Sequence, residues 1–516
     1  MSSSVYTVDP WNLLAVALIT VAGWAWIDHC RTRTSDFSRI NYRWLPRMLA
    51  PRHAHEYASE GYNKINKKLG RPFRMTWWAS ENIFLPPEYL PDLKRASESS
   101  LSFLRNLSDA FSLGYSVGHL YDGPLMITIV RSKLNTQLPL ITPILAEEAD
   151  YAIDKEIGFC KTWTPRNAAD VLTRIMHRMT SRILASPELC RDERYMSASI
   201  SFMNSVTITG LLAIMFPLGP FRHLFVRILS LFHRRKLEAI IDIIEPVVRE
   251  RLAAYSPDAT TEPTHRDAIQ WNIELAQGNP LELAPRRIAL NTVQNLWAGS
   301  AGPAVTATQV IFQLLMMPAY FEPLVQEAQK AIEEHGWTDK ALNQMHLLDS
   351  FIGEVNRMYP LGAVTAARTV MDEKFTFHDG LTLPKGSRIA FAIGAIQKDE
   401  RFVENPETFN GYRFVAGAQA QEEGPESTAD GAVNRAQSAA TVTPTNLVFG
   451  YGKHACPGRF YAIRKIKIIF CKIAFRYDFK WTKVPKGRPQ DFPVEGQFAP
   501  NQSQEISFRD RSEAAH

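Results

Sequence analysis

The segment Phe449–Arg459 reads FGYGKHACPGR. Gly450 and Gly452 crowd the approach to Cys456, and Pro457 and Gly458 follow it. Glycines let a backbone turn tightly and come close to a flat ligand. A helical pattern begins at Arg459 and runs through Cys471. Cys456 therefore sits at the mouth of a helix, where free N–H groups and the dipole favour a thiolate. A thiolate held this way is a suitable axial ligand for haem iron. The competing reading is a buried, inert loop cysteine, the usual fate of a lone Cys; the glycine density argues against it. Cys30, Cys160, Cys190 and Cys471 are widely separated, and the odd total of five forms no C-x-x-C pair. That pattern argues against a disulfide framework or zinc ribbon, and a reducing compartment fits better.

Two carboxylate–guanidinium pairs have i, i+3 spacing: Glu354 and Arg357 in FIGEVNRMYP, and Glu188 and Arg191 in PELCR. On a helix such a pair is usually a surface ion pair worth a few tenths of a kcal/mol, so spacing alone does not choose between them. The elements that must position these residues are mostly helical. Helical periodicity covers Glu88–Phe111, Leu140–Glu156, Asn167–Ile183, Phe225–Ala254 and Arg286–Met317. Lys374–Leu383, with Asp379–Gly380 as its turn, Arg388–Ile393 and Phe475–Trp481 read as short strands. The fold class expected is mainly α with small β-sheets. Gly417–Thr445 is rich in Ala, Gln, Glu, Gly, Ser and Thr and lacks large apolar side chains, so it reads as a surface insertion that cannot bury enough area to order itself.

The Cys456 segment resembles the F-x-x-G-x-[RH]-x-C-x-G signature of the cytochrome P-450 superfamily, in the FGxGxHACPGRF form of fungal members. The resemblance spans residues 55–510 and implies one haem-thiolate domain, not the roughly three domains that length suggests. It implies haem b as cofactor, with Phe449 opening the motif, Cys456 as metal ligand and His454 at a haem propionate. Glu354–Arg357 then resembles the family's E-x-x-R. NPETFNGYRF from Asn405 resembles P-E-x-F-x-P-x-R-F, with Gly411 where Pro is commoner. Arg413 would close a Glu–Arg–Arg network with Glu354 and Arg357, since a buried carboxylate needs paired donors. Arg368 resembles a second propionate contact. Arg131, in GPLMITIVRSKL, is a third candidate, with Met126 where fungal relatives often show histidine.

The stretch RIALNTVQNLWAGSAGPAVTATQVIFQLLMM resembles the family's long central helix, which usually carries A-G-x-[DE]-T-T. The acid and threonine of that core deliver protons during O2 activation. Aligned on the downstream TQVIFQLLMM, Ala301 takes the acid position and Gly302 the threonine position, so the usual acid–alcohol pair is missing. Ser300, Thr306, ordered water or a substrate hydroxyl are the remaining proton sources. The other reading is dehydration, rearrangement or ring formation in place of hydroxylation. Pro303 removes one helical hydrogen bond and is expected to kink the helix there.

The chain has 516 residues, 45% of them apolar and 22% charged, with formal net charge +5. That is ordinary globular usage; it excludes a disordered or polytopic chain, and the charge is too small to argue for nucleic acid. Pro10–Ile27 is uncharged over 18 residues, ~27 Å as a helix and close to one bilayer core. Trp11, Trp24 and Trp26 lie near its ends, and Arg31, Arg33, Arg39, Arg43, Arg47 and Arg52 follow. By the positive-inside bias this predicts a transmembrane helix in an anchor over 1–34, a basic linker over 35–54 and a cytosolic catalytic domain over 55–510. A buried N-terminal helix is the alternative. No second apolar run of comparable length stands out. The resemblance implies a single-pass endoplasmic-reticulum enzyme, an NADPH-dependent reductase as partner and an apolar small-molecule substrate of secondary metabolism: a terpenoid, meroterpenoid or alkaloid. A haem-thiolate isomerase or dehydratase, and a non-catalytic haem-binding membrane protein, are the rivals. The exposed-side charge expected of Lys453 fits reductase docking or simple solvation equally.

Overall fold

The computed structural model describes Gly23 and residues 37–40, 52–78, 80–116, 125–215, 222–255, 265–415 and 438–511. The expected membrane span, apart from Gly23, and most of the basic linker lie outside the described residues, as do 417–437 of the expected insertion. The eight helices that shape the site are α1 (Phe103–Phe111), α2 (Leu138–Glu156), α3 (Ala168–Leu184), α4 (Glu193–Met215), α5 (Arg222–Ala254), α6 (Pro285–Met316), α7 (His346–Met358) and α8 (Arg459–Arg476).

Helix α6 is the organising element. Ala304, Ala307, Val310, Ile311 and Leu314 are buried along it, a helical stripe that must face other elements. It packs against α3, α5, α7 and α8. Helix α3 starts where Asn167 accepts a hydrogen bond from the Asp170 N–H at 2.9 Å, an N-cap. Helix α4 packs along α5. Glu193–Ile214 is long and apolar enough to cross a membrane, but half of it is buried inside the fold. It is an apolar run beyond the one expected, punctuated by Ser and Thr.

Glu88–Phe111 is not one helix. A 3-10 turn (Pro87–Tyr89) leads into helix Leu90–Arg95, and a two-residue strand, Leu101–Ser102, precedes α1. The SESS run causes the break. Ser102 accepts from the Arg105 N–H at 2.9 Å, and the Glu98 carboxylate accepts from the Phe103 and Leu104 N–H groups at 3.3 and 3.1 Å. These side chains satisfy the orphan donors of a new helix start.

A six-stranded mixed sheet runs in the order Ser38–Arg39, Phe73–Trp77, Ser80–Phe84, Arg388–Phe391, Thr365–Val370, Leu101–Ser102. A second sheet joins Tyr477–Trp481, Glu505–Asp510 and Thr164–Asn167. The register of Thr365–Val370 against Arg388–Phe391 shifts between Thr365 and Arg368, and Ala366 there has φ 53°. Such a bulge re-aims the side chains beside it. The expected turn at Asp379–Gly380 joins Lys374–Thr376 to Thr382–Pro384, with Gly380 at φ 90°.

Buried apolar residues form two clusters, one among the helices and one around the large sheet. The Cys456 segment spans both: Leu447 and Tyr451 belong to the sheet side, and Phe449 packs on the helical side. Residues 438–445, expected within the surface insertion, are tied to the fold. Ala439 and Ala440 are buried, the Ala439 N–H donates to Asp349 at 3.2 Å, and Arg459 Nε donates to the Ala440 carbonyl at 3.1 Å.

Candidate active site

The glycine-rich segment folds as a tight wrap that presents Cys456. The Gly450 N–H donates to the Leu447 carbonyl at 2.8 Å, and the Cys456 N–H to the Phe449 carbonyl at 2.7 Å. Gly452, at φ 67°, lies so close to the neighbouring helix that a Cβ would sit 2.8 Å from Lys94 Cα, so no larger residue fits there. Helix α8 then begins at Arg459. Among the described cysteines Cys456 alone is exposed; Cys160, Cys190 and Cys471 are buried. Burial raises the Cys190 and Cys471 thiols to about 12, which marks them as inert. Desolvation by its surroundings also pushes the Cys456 thiol above its ordinary value, and the N–H groups of Gly458 and Arg459 with the Arg459 charge offset this only in part.

Three basic residues stand around this wrap. Arg368 is 1% exposed. It donates to the Ala367 and Tyr451 carbonyls at 2.7 and 3.3 Å, while its Nε has no partner. Burial pushes its pKa down to about 10, against the pull of Glu98. His454 Nδ1 lies 2.9 Å from Glu98, and its Nε2 is buried without a partner. Arg131 is exposed and gives an N–H to the Lys453 carbonyl at 2.5 Å, which braces the wrap from outside. Two orphaned, buried nitrogens, Arg368 Nε and His454 Nε2, on the segments around a presented thiol fit a flat, iron-centred ligand with two carboxylates. Glu98 was not legible in the sequence: it sits in a Ser-rich turn, far along the chain from His454. Burial opposes its ionisation, but bonds from His454, Ser102 and the Leu104 N–H hold its carboxyl at about 2.

Behind the wrap, Arg357 grips Glu354 with two bonds, Nε at 2.7 and Nη2 at 2.8 Å. Arg413 Nε reaches both Glu354 oxygens at 3.1 and 3.0 Å, and Glu354 is fully buried. Arg357 and Arg413 spend their other N–H groups on the carbonyls of Gln397, Pro406, Glu404 and Thr408. The other i, i+3 pair does not meet: Glu188 pairs with Arg251, and Arg191 with Glu148.

On α6 the candidate hydroxyls turn aside. Ser300 Oγ lies 3.0 Å from His177 Nδ1 on α3 and is buried. Thr306 Oγ donates to Asn356 on α7 at 3.3 Å. Ala301 is exposed, and a Cβ on Gly302 would meet only Leu361 Cδ2, at 3.6 Å. The open side of this turn therefore carries no protic side chain at 301 or 302.

The cytochrome P-450 family profile matches residues 124–505. The chain is 36% identical over 458 residues to the cytochrome P-450 monooxygenase sirB of Leptosphaeria maculans, covering 88% of this chain and 86% of that protein. It is 26% identical over 480 residues to an ent-kaurene oxidase of Gibberella intermedia, covering 91% and 86%. Retinoic acid bound cyanobacterial CYP120A1 superposes with TM-score 0.63 at 14% identity, over 89% of this chain and 96% of that one, a likeness of fold. With a family match over most of its length and a fold to agree with it, the chain belongs to the cytochrome P-450 family and is a haem-binding monooxygenase with an axial cysteine thiolate.

Proposed function

We propose that this enzyme oxidises an apolar secondary metabolite, of the terpenoid, meroterpenoid or alkaloid type, with Cys456 as the thiolate ligand and electrons from an NADPH-dependent reductase. The observation that carries the assignment of Cys456 is its presentation: it is the exposed cysteine among those described, flanked by the orphaned nitrogens of Arg368 and His454. Arg368 and His454 would hold the two haem carboxylates, and Glu98 fixes the ring of His454. Haem held by a thiolate supplies reductive activation of O2. Glu354, Arg357 and Arg413 fix the chain behind the wrap. Ala301 and Gly302 line the substrate side and leave proton delivery to water or to a hydroxyl of the substrate itself. The ent-kaurene oxidase relatives support an apolar substrate, and such pockets are mostly hydrophobic.

Membrane attachment belongs to the same reading. Pro10–Ile27 would span the endoplasmic-reticulum bilayer with the catalytic domain in the cytosol. Leu224, Ile228, Leu231 and Phe232 form an exposed apolar strip on α5, which supports a second contact with lipid. The missing acid–alcohol pair keeps a reductase-independent isomerase or dehydratase as a second reading, and NADPH dependence of turnover separates the two. The direct test is Cys456→Ser. The natural protein, reduced under carbon monoxide, gives the red-shifted Soret band of a thiolate-ligated haem. The variant expresses and loses that band; a band that survives removes Cys456 as the ligand.

A further inference from the structure

Helix α6 contains Pro303 and still runs unbroken from Pro285 to Met316. Proline has no N–H, so the carbonyl four residues earlier loses its helical donor, and the ring crowds that carbonyl. That carbonyl belongs to Gly299. It is not left bare: Lys465, on α8, donates to it from Nζ at 3.1 Å. The same Nζ donates to Thr180 Oγ1 on α3 at 2.6 Å and lies 4.3 Å from the centroid of the Tyr461 ring. Lys465 is fully buried, and among the described residues no carboxylate pairs with it. Burial disfavours its charged form, and each N–H the amine carries needs an acceptor. Here the carbonyl, the hydroxyl and the ring face give three acceptors. Thr180 is prepared for this role, because its own proton goes to the Met176 carbonyl at 2.7 Å, while the Gly299 carbonyl lies farther from its Oγ1, at 3.5 Å.

The backbone is prepared as well. A Cβ on Gly299 would lie 2.7 Å from Leu184 Cδ1 and 3.2 Å from Thr180 Cγ2. Glycine at this position lets α3 come close enough for Thr180 to share the lysine. One residue on, Ser300 is bonded to His177 of α3. The turn from Gly299 to Pro303, which carries Ala301 and Gly302, is thus tied from α8 through Lys465 and from α3 through Thr180 and His177. A lysine buried merely by accident of packing would leave the Gly299 carbonyl and the amine each to find partners separately. Burying either without one is costly, so the pairing accounts for both.

We propose that Pro303 and Lys465 act as one unit, with Lys465 a positioning residue that replaces the N–H Pro303 lacks and braces the Gly299–Pro303 turn against the helix that follows Cys456. This goes beyond the functional reading above, since the brace exists whatever the substrate is. If Lys465 stands in for the proline's missing donor, restoring that donor makes the lysine dispensable.

The test is a double-mutant cycle of Lys465→Met and Pro303→Ala in the full-length holoenzyme. The first readout is the far-UV melting temperature, which needs no assumption about the haem. With Pro303 present, Lys465→Met is expected to lower it by roughly 2–4 °C, from one buried carbonyl left unsatisfied. With Pro303→Ala the same change is expected to cost less than half as much. The second readout is the affinity for imidazole, followed by its Soret shift. Lys465→Met is expected to weaken it several-fold, and Pro303→Ala to restore most of that loss. Accumulation of Lys465→Met only in the Pro303→Ala background also supports the brace. Additive effects in both readouts overturn it. Should the lysine variants accumulate in neither background, Thr180→Val carries the comparison: non-additivity with Pro303→Ala supports the unit and additivity overturns it. A failed haem reading would abolish the Soret signal in every variant yet leave the melting comparison intact.

Discussion

Ser300 and Thr306 each carry a hydroxyl near the turn where α6 would pass protons, and each spends it on a neighbouring helix, at His177 and Asn356. At residue scale this sharpens what the missing acid–alcohol pair means. General acid help from a positioned group is worth ~10²–10⁴-fold, so a substrate without its own hydroxyl near the reacting carbon should couple poorly, consuming NADPH and releasing hydrogen peroxide or water. Gly302→Thr places an alcohol there; its Cβ meets only Leu361 at an ordinary 3.6 Å. Product formed per NADPH should rise more for a deoxy substrate than for its hydroxylated counterpart. Equal coupling of the two by the unmodified enzyme would remove substrate assistance and leave water as the relay. His177 supports a second prediction. Burial first, then Lys465, Arg178 and Arg174, push its pKa from 6.5 down to about 3. The folded state resists the proton that the unfolded chain accepts. Its contribution to stability is therefore whole above about 6.5 and drains away as pH falls toward 3. His177→Asn keeps a polar atom toward Ser300 but does not titrate, so its urea midpoint should fall less between pH 7 and pH 4 than that of the natural chain. Parallel curves would show that other groups carry the acid sensitivity.

At the scale of elements, the Glu354–Arg357–Arg413 network joins α7 to the segment before the insertion. Removing one member leaves a buried charge unpaired, at roughly 3–5 kcal/mol. Glu354→Ala should therefore abolish haem retention, read as the Soret-to-protein absorbance ratio. Glu188→Ala removes a carboxylate whose side chain is 49% exposed and should cost under ~1 kcal/mol. Normal haem content in Glu354→Ala would overturn the structural role. Gly411 belongs to the same segment. A Cβ there would lie 2.6 Å from Tyr320 Cε1 and 2.8 Å from Phe351 Cδ2, and its N–H donates to Tyr320 Oη at 3.1 Å. Gly411→Pro, the residue of the P-E-x-F-x-P-x-R-F pattern, should thus lower the urea midpoint through overpacking of ~1–3 kcal/mol and a lost donor. An unchanged midpoint would show that the two rings yield. How far such elements could be read in advance depended on their periodicity. Helices α2, α3 and α6 were legible because their apolar spacing is long and regular. Phe73–Trp77 was not, because its alternation of Phe, Met and Trp with Arg and Thr lasts only five residues, and its Arg and Thr are buried as well. The Cys456 motif and the Glu354 network were legible as local patterns. Glu98, His177 and Lys465 were not, because each acquires its meaning from a partner that only the fold brings near.

At the scale of the whole molecule, the proposed membrane attachment rests on two surfaces. Pro10–Ile27 supplies enough apolar length to span a bilayer. The strip on α5 is of another kind: Leu224, Ile228, Leu231 and Phe232 recur at helical spacing, and Phe232 is 73% exposed. Arg227, Arg234, Arg235 and Lys236 lie on the same helix, the composition of a surface that settles at an anionic lipid interface. Each large apolar side chain transferred from water is worth ~1.5–3 kcal/mol, so a pair contributes at least a tenfold bias toward the membrane. Deleting residues 1–30 should then release much of the protein into the soluble fraction while leaving the haem spectrum intact, with a remainder bound in a salt-sensitive way. Adding Leu231→Glu and Phe232→Glu to the truncated chain should release that remainder. A full-length chain found wholly in the soluble fraction would remove the anchor. A truncated chain that stays bound after the two glutamates would move the second contact off α5. Because both residues point outward and leave the buried face of α5 untouched, a changed haem spectrum is not expected in any of these variants, which separates loss of attachment from loss of fold.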